Sequence, residues 1–329
     1  MVAVHIPPAW AHSAAIILQN RWRKTLVIGA ADRGKSTYCN VLAQTLGAAG
    51  CKVAFVDADI GQKDLGPPAT ISLAYLDVTT GLSQARLAGL YFVGSVSPVR
   101  HFLPMIVGTR RLVDAARAPF VIIDTTGLVQ GGGRLLTAFQ IESLQPDIIV
   151  TVEKNGELGP IVKACRHYQV IRLHSSPQAV PKSREARRAA REQSFRAYFA
   201  DAEEIILDLN RLVMQRCLLF NGKRYADPRF VYAEKTPEGI IGIAATPEAN
   251  QAAGLQVVPA GFEHNLLCGL ADRHGEGLGL GIIKAIDLQS LTITLWTPVP
   301  FNKIRVLQLG ELYLGRDGRE LQDRLTMAL

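Results

Sequence analysis

The sequence predicts an α/β protein: a doubly wound parallel sheet with helices on both faces, followed by a smaller β-rich domain. Three observations carry that expectation. Short apolar runs rich in β-branched residues alternate with helical stretches over roughly the first 175 residues, the pattern of a parallel sheet built from crossover units. The first of these runs opens into a glycine-rich loop and then a helix. From about residue 204 onward the helical spacing gives way to short strands divided by Gly and Pro.

Taken in order, residues 1–20 form an N-terminal segment holding His5, Pro7, Pro8 and His12, and it lacks the charged-then-apolar pattern of a signal peptide. Strands are expected at Thr25–Ile28, Lys52–Asp57, Leu90–Gly94, Phe120–Asp124, Asp147–Val152 and Val170–Leu173. Helices are expected near 35–48, 98–117, 132–144 and 157–167. A first domain therefore spans 21–203, with a basic helix at about 182–199 as its last element. The second domain, 204–329, has short strands at Phe230–Ala233, Gly239–Ala244, Gly279–Ala285, Leu291–Thr297 and Ile304–Leu309. Right-handed crossovers bring the carboxyl ends of the first domain's strands to one edge, where residues just after each strand converge.

The loop after the first strand is Gly29-Ala30-Ala31-Asp32-Arg33-Gly34-Lys35-Ser36, followed by Thr37, a complete G-x-x-x-x-G-K-[ST] motif between a strand and a helix. Its glycines let the backbone curl around phosphate oxygens, and successive N–H groups with the helix N-terminus face the anion. Lys35 then reaches the outer phosphates and the Ser36 hydroxyl can hold Mg²⁺, which makes this a P-loop NTPase domain.

Two further strand ends carry acids. Val56-Asp57-Ala58-Asp59-Ile60-Gly61-Gln62 places Asp59 where a carboxylate meets a substrate hydroxyl or a metal-bound water, and Asp124, closing Val121-Ile122-Ile123, completes magnesium coordination. Ser36, Asp59 and Asp124 are thus the candidate metal ligands. Between residues 182 and 196 six basic residues stand against two acids. At helical spacing Arg184, Arg187, Arg188 and Arg191 share one face, and Arg196 follows. Such a helix is either a solvated surface element or a mobile lid whose arginines stabilise a transferred phosphoryl group.

Composition narrows the classes. A net charge of +7 is mild but has the right sign for a polyanionic substrate. The five cysteines lack C-x-x-C spacing, which speaks against a disulfide framework or structural zinc and fits a reducing compartment. No apolar run approaches membrane-spanning length, so a cytoplasmic protein with no membrane partner is expected.

Together the ordered motifs resemble a family. G-x-x-D-x-G-K-S, D-x-D-x-G-Q, Tyr91-Phe92-Val93-Gly94-Ser95-Val96-Ser97-Pro98, T-x-G and an arginine-rich helix ending in Tyr198-Phe199 are similar to the polynucleotide 5′-hydroxyl kinases that include the RNA cleavage-factor kinase subunit and the pre-ribosomal-RNA processing kinases. Gly279-Leu280-Gly281-Ile282-Ile283-Lys284-Ala285-Ile286-Asp287 and Thr297-Pro298-Val299 resemble that family's β-rich C-terminal domain. The resemblance implies transfer of the γ-phosphate of ATP to the 5′-hydroxyl end of RNA, or of DNA as well. It implies Asp59 as the acceptor of the hydroxyl proton, Lys35 on the ATP phosphates, and Arg187 and Arg191 among the lid arginines acting on the transferred group. Gln62, Thr125, Gly127 and Leu128 would meet the substrate end, with Leu128 standing where eukaryotic members carry a base-stacking Trp. Protein partners are not implied. Two other readings stand beside this one. A regulatory or metallochaperone GTPase would switch at Asp124-x-x-Gly127, but Val152-Glu153-Lys154-Asn155 is only a distant echo of a guanine-reading N-K-x-D. The other is a non-catalytic scaffold that holds ATP as a structural ligand, against which the retention of Asp59 and Lys35 argues.

Overall fold

Every strand that the apolar runs predict in the first part of the chain is present in a computed structural model, which describes residues 5–76, 82, 85–244 and 255–321. The elements run α1 (Pro8–Asn20), β1 (Lys24–Ile28), α2 (Lys35–Ala48), β2 (Val53–Asp57), β3 (Thr70–Leu76), β4 (Leu87–Phe92), α3 (Phe102–Ala115), β5 (Phe120–Asp124), α4 (Gly132–Leu144), β6 (Ile148–Glu153), α5 (Gly159–Ala164), β7 (Val170–His174) and α6 (Arg184–Tyr198). Among the described residues the strands order as β4-β3-β2-β5-β1-β6-β7 in one sheet. All pairings are parallel except those of β3, which runs antiparallel to both β2 and β4. The sequence reading leaves β3 out. Thr70-Ile71-Ser72-Leu73-Ala74-Tyr75-Leu76 is buried at all but Tyr75, so it lacks the alternation that marks a half-buried strand.

Alternation along the central strands loads both faces. Val27, Phe55, Ile122 and Val150 pack with Trp10, Ile17, Tyr38 and Leu42 of α1 and α2. On the other face Leu26, Ile28, Ile123 and Ile149 pack with Met105, Leu112, Leu136 and Ile141 of α3 and α4. Each fully buried Leu or Ile contributes about 1.5–3 kcal/mol, so these two layers fix the sheet that carries the loops. Helix α1 is likewise absent from the sequence reading. Pro7 precedes it and Pro8 opens it with a pre-set φ, and Trp10, Ser13, Ala14 and Ile17 form its buried stripe.

The chain divides into two compact units, Met1–Arg191 and Glu192–Leu329, with the division falling inside α6. The second unit contains β8 (Glu203–Asp208), β9 (Val213–Gln215), β10 (Lys223–Arg224), β11 (Phe230–Thr236), β12 (Gly239–Ala244), β13 (Leu255–Val258), β14 (Leu266–Ala271), β15 (Gly277–Asp287), β16 (Thr292–Thr297) and β17 (Val306–Tyr313). These form sheets ordered β8-β16-β15-β14-β17-β9 and β10-β11-β12-β13. Within this unit the Leu280 N–H donates to the Tyr198 hydroxyl at 2.7 Å, and a Cβ on Gly279 would lie 2.3 Å from that oxygen. The Gly279-Leu280-Gly281 run thus seats Tyr198, the last residue of α6. Among the described residues no helix is long and apolar enough to cross a membrane.

Candidate active site

Four strand ends meet where the strand order reverses: β1 lies between β5 and β6, and β2 lies beyond β5. Register fixes what they present. Asp57 of β2 pairs with Asp124 of β5, Val27 of β1 pairs with that same Asp124, and Ile28 pairs with Thr151 of β6.

The phosphate loop is shaped by close approach on three sides. A Cβ on Gly29 would fall 2.5 Å from the Val152 carbonyl oxygen, and one on Gly34 would fall 2.8 Å from Cη2 of Trp10. Gly34 also sits at φ +94°, a conformation that glycine adopts without strain. From the β5–α4 loop Gly127 lies against Ala31, whose backbone N would be 2.6 Å from an added Cβ. Helix α2 then begins at Lys35 with no side-chain cap, so its first-turn amides remain available to an anion. Lys35 is buried, with its Nζ 3.2 Å from the Ala30 carbonyl oxygen.

The acids lie beside this loop. Ser36 Oγ donates to Asp124 Oδ2 at 2.6 Å, while Oδ1 of Asp124 is buried without a partner. Burial pushes the Asp124 carboxyl up to about 8, with Lys35 pulling the other way and Asp57 adding to the rise. A hydroxyl and an orphaned carboxylate oxygen at the mouth of a phosphate loop form the donor set that suits a hard divalent cation. Asp59 is half-buried. Its Oδ1 accepts the N–H groups of Gly61 and Gln62 at 3.0 Å each, and Oδ2 makes no hydrogen bond among the described residues. That leaves one oxygen clear for a proton.

Asp57 is engaged differently. Its Oδ1 accepts the Asp59 N–H at 3.1 Å, its Oδ2 accepts those of Asp64 and Leu65 at 3.0 Å each, and Lys63 Nζ stands 3.2 Å from Oδ1. Burial raises the Asp57 carboxyl, and the Lys63 ammonium opposes that rise. Thr125 is likewise turned inward, its hydroxyl donating to the Val27 carbonyl at 2.8 Å. Leu128 is half-buried, and a Cβ on Gly133 would stand only 2.2 Å from its carbonyl oxygen.

Arg187 meets the phosphate loop. Its Nη2 pairs with Asp32 Oδ2, the same oxygen that takes the Lys182 N–H at 3.0 Å, and its Nε is buried without a partner. Gln62 Nε2 lies 3.4 Å from the Arg187 carbonyl oxygen. Arg184 and Arg188 are exposed and Arg191 is half-buried. Arg196 donates to the Asp317 carbonyl at 3.1 Å, within the second unit. Opposite, Arg33 pairs with Glu157 at 2.7 Å. The structure therefore gathers residues 29–37, Asp59, Gln62, Asp124, Gly127 and Arg187. It adds three that sequence reasoning omits: Trp10, Lys63 and Glu157. Trp10 is legible in retrospect from the Pro-started stripe in α1. A lone Lys63 and a loop Glu157 carry no such periodicity.

Comparison with known proteins matches residues 29–201 to the family model of the mRNA cleavage and polyadenylation factor Clp1 P-loop. The polyribonucleotide 5′-hydroxyl-kinase of Pyrococcus furiosus is 36% identical over 93% of this chain and 92% of its own length. That of Methanocaldococcus jannaschii is 33% identical over 91% of this chain and 89% of its own. Among solved structures, a Clp1p–Pcf11p complex superposes with a TM-score of 0.64 at 12% identity, covering 93% of this chain and 79% of that one. A matched P-loop domain, relatives of near-equal length and the shared two-part fold lead to one conclusion: this chain belongs to the Clp1-type family of polynucleotide 5′-hydroxyl kinases.

Proposed function

We propose that the protein transfers the γ-phosphate of ATP to the 5′-hydroxyl end of RNA. The observation that carries this reading is Asp59, a carboxylate on the loop after β2 with one oxygen held by two backbone N–H groups and the other clear. The uncapped amides of α2, the loop backbone and Lys35 bind the triphosphate and fix its outer end. Ser36 and Asp124 would hold Mg²⁺, which would supply neutralisation of the triphosphate charge. Asp59 accepts the proton of the 5′-hydroxyl as that oxygen attacks in line, and Gln62 positions the substrate end. Arg187, drawn to the loop by Asp32, offers its guanidinium to charge on the transferred group. The arginine face of α6 and the net charge of +7 favour a polyanionic substrate.

Incubating the protein with labelled ATP and 5′-hydroxyl RNA or DNA oligonucleotides tests this. Label is expected at the 5′ end of RNA and absent with Lys35→Ala. Undiminished transfer by that variant would refute the site.

A further inference from the structure

The loop that holds Asp59 and Gln62 is closed at its base by an ion pair that takes no part in the chemistry above. The Lys63 side chain is 1% exposed and that of Asp57 is 2% exposed. The Lys63 ammonium lies 3.2 Å from Asp57 Oδ1 and donates to the Asp57 main-chain carbonyl at 2.7 Å, so it grips the end of β2 by side chain and backbone at once. Residues 58–62 lie between the two ends of this clamp. Within it Asp57 takes the Asp59 N–H, and Asp59 in turn takes those of Gly61 and Gln62. A surface lysine at this point would turn outward, since desolvating an ammonium is costly unless geometry and partners compensate. Burial lowers the Lys63 ammonium, and Asp57, by charge and hydrogen bond, is the chief group opposing that shift.

We propose that Lys63 is a positioning residue, whose buried ammonium locks the loop of Asp59 and Gln62 in one place beside the phosphate loop. The inference rests on the kinase reading of this site. It assigns Lys63 no contact with substrate. Its effect passes through Asp57 and the chain of N–H groups to Asp59.

Lys63→Met alone leaves Asp57 buried and uncompensated and risks misfolding, so it is made alongside a double variant, Lys63→Met with Asp57→Asn, which removes both charges. Two readouts separate the outcomes. Amide exchange at Gly61 and Gln62 is measured without any turnover, and kcat and KM are measured with ATP and 5′-hydroxyl RNA. In the folded double variant, exchange at both amides is expected to accelerate at least ~10-fold and kcat to fall at least ~10-fold, with KM for ATP changed less than ~2-fold, because misplacement of a reacting group by about 1 Å can cost 10²-fold. Unchanged protection of Gly61 and Gln62, or a wild-type kcat per folded molecule, would overturn the clamp. A loss confined to the KM for ATP would do the same. If the unmodified protein transfers no phosphate, the kinase reading falls and the exchange data alone decide whether the clamp exists.

Discussion

Single atoms at the strand ends decide what each acid can do. Asp57 and Asp124 are matched in register, yet one is closed by Lys63 and three N–H groups while the other keeps a bare Oδ1. Asp59 lies between these cases, and its clear Oδ2 gives a sharp prediction. Asp59→Asn should lower transfer by roughly 10²–10⁴-fold, the usual worth of a positioned base, while calorimetry shows ATP binding little changed. Gly127 makes a second prediction at this scale. Adding a Cβ 2.6 Å from a backbone nitrogen of the phosphate loop forces main chain to move, so Gly127→Ala should raise the KM for ATP and cost about 1–3 kcal/mol in thermal unfolding. Glu157 gives a pH signature. Burial would raise its carboxyl, but the N–H of Asn155, the Arg33 guanidinium and further backbone N–H groups outweigh it and hold the carboxyl at about 2 against 4.5 for the free group. A folded-state value below the unfolded one stabilises fully above about pH 4.5 and is lost as pH falls towards 2. Glu157→Gln should therefore cost about 1–2 kcal/mol at neutral pH, after allowance for solvent screening, and nothing near pH 2 by denaturant unfolding.

At the scale of elements, α6 and α1 differ in how much of their role the chain reveals. The arginine spacing of α6 is plain in sequence, where Arg187 and Arg191 are favoured among the four on one face. Tertiary structure brings Arg187 to the phosphate loop, because Asp32 is held at φ +59° where its carboxylate takes both Lys182 N–H and Arg187. Arg187→Ala should accordingly lower the single-turnover rate by roughly 10³-fold, as loss of an arginine acting on transition-state charge does. Arg184→Ala should leave the rate near wild type and shift stability by no more than about 0.5 kcal/mol. The phosphate loop, both acid-ended strands and the central sheet were legible because each rests on local spacing. Strand β3 was not, since burial on both faces erases its period, and Lys63 was not, since its meaning comes from a carboxylate six positions back that the loop folds onto it.

For the molecule as a whole, charge and architecture pull in the same direction. A chain of net charge +7, with an arginine-rich helix whose Arg187 pairs with the phosphate loop, should read its substrate largely through phosphates. The KM for 5′-hydroxyl RNA should then rise steeply between low and physiological salt, with little dependence on the terminal base. Leu128 offers no aromatic face for that base to stack on. A strong preference for one 5′ base at low salt would contradict this.

Trp10 adds something practical. Its ring is 1% exposed, stands edge-on to Tyr38 with centroids 5.8 Å apart, donates from Nε1 to the His174 carbonyl at 2.9 Å, and fills the space where Gly34 has no side chain. Only two other tryptophans exist in the chain, Trp22 and Trp296. Replacing both with Phe would leave a single indole whose excited state feels the electric field and rigidity of the phosphate loop directly. Its emission would then be an optical gauge of nucleotide entering and leaving that loop, readable in a stopped-flow mixer on unlabelled protein.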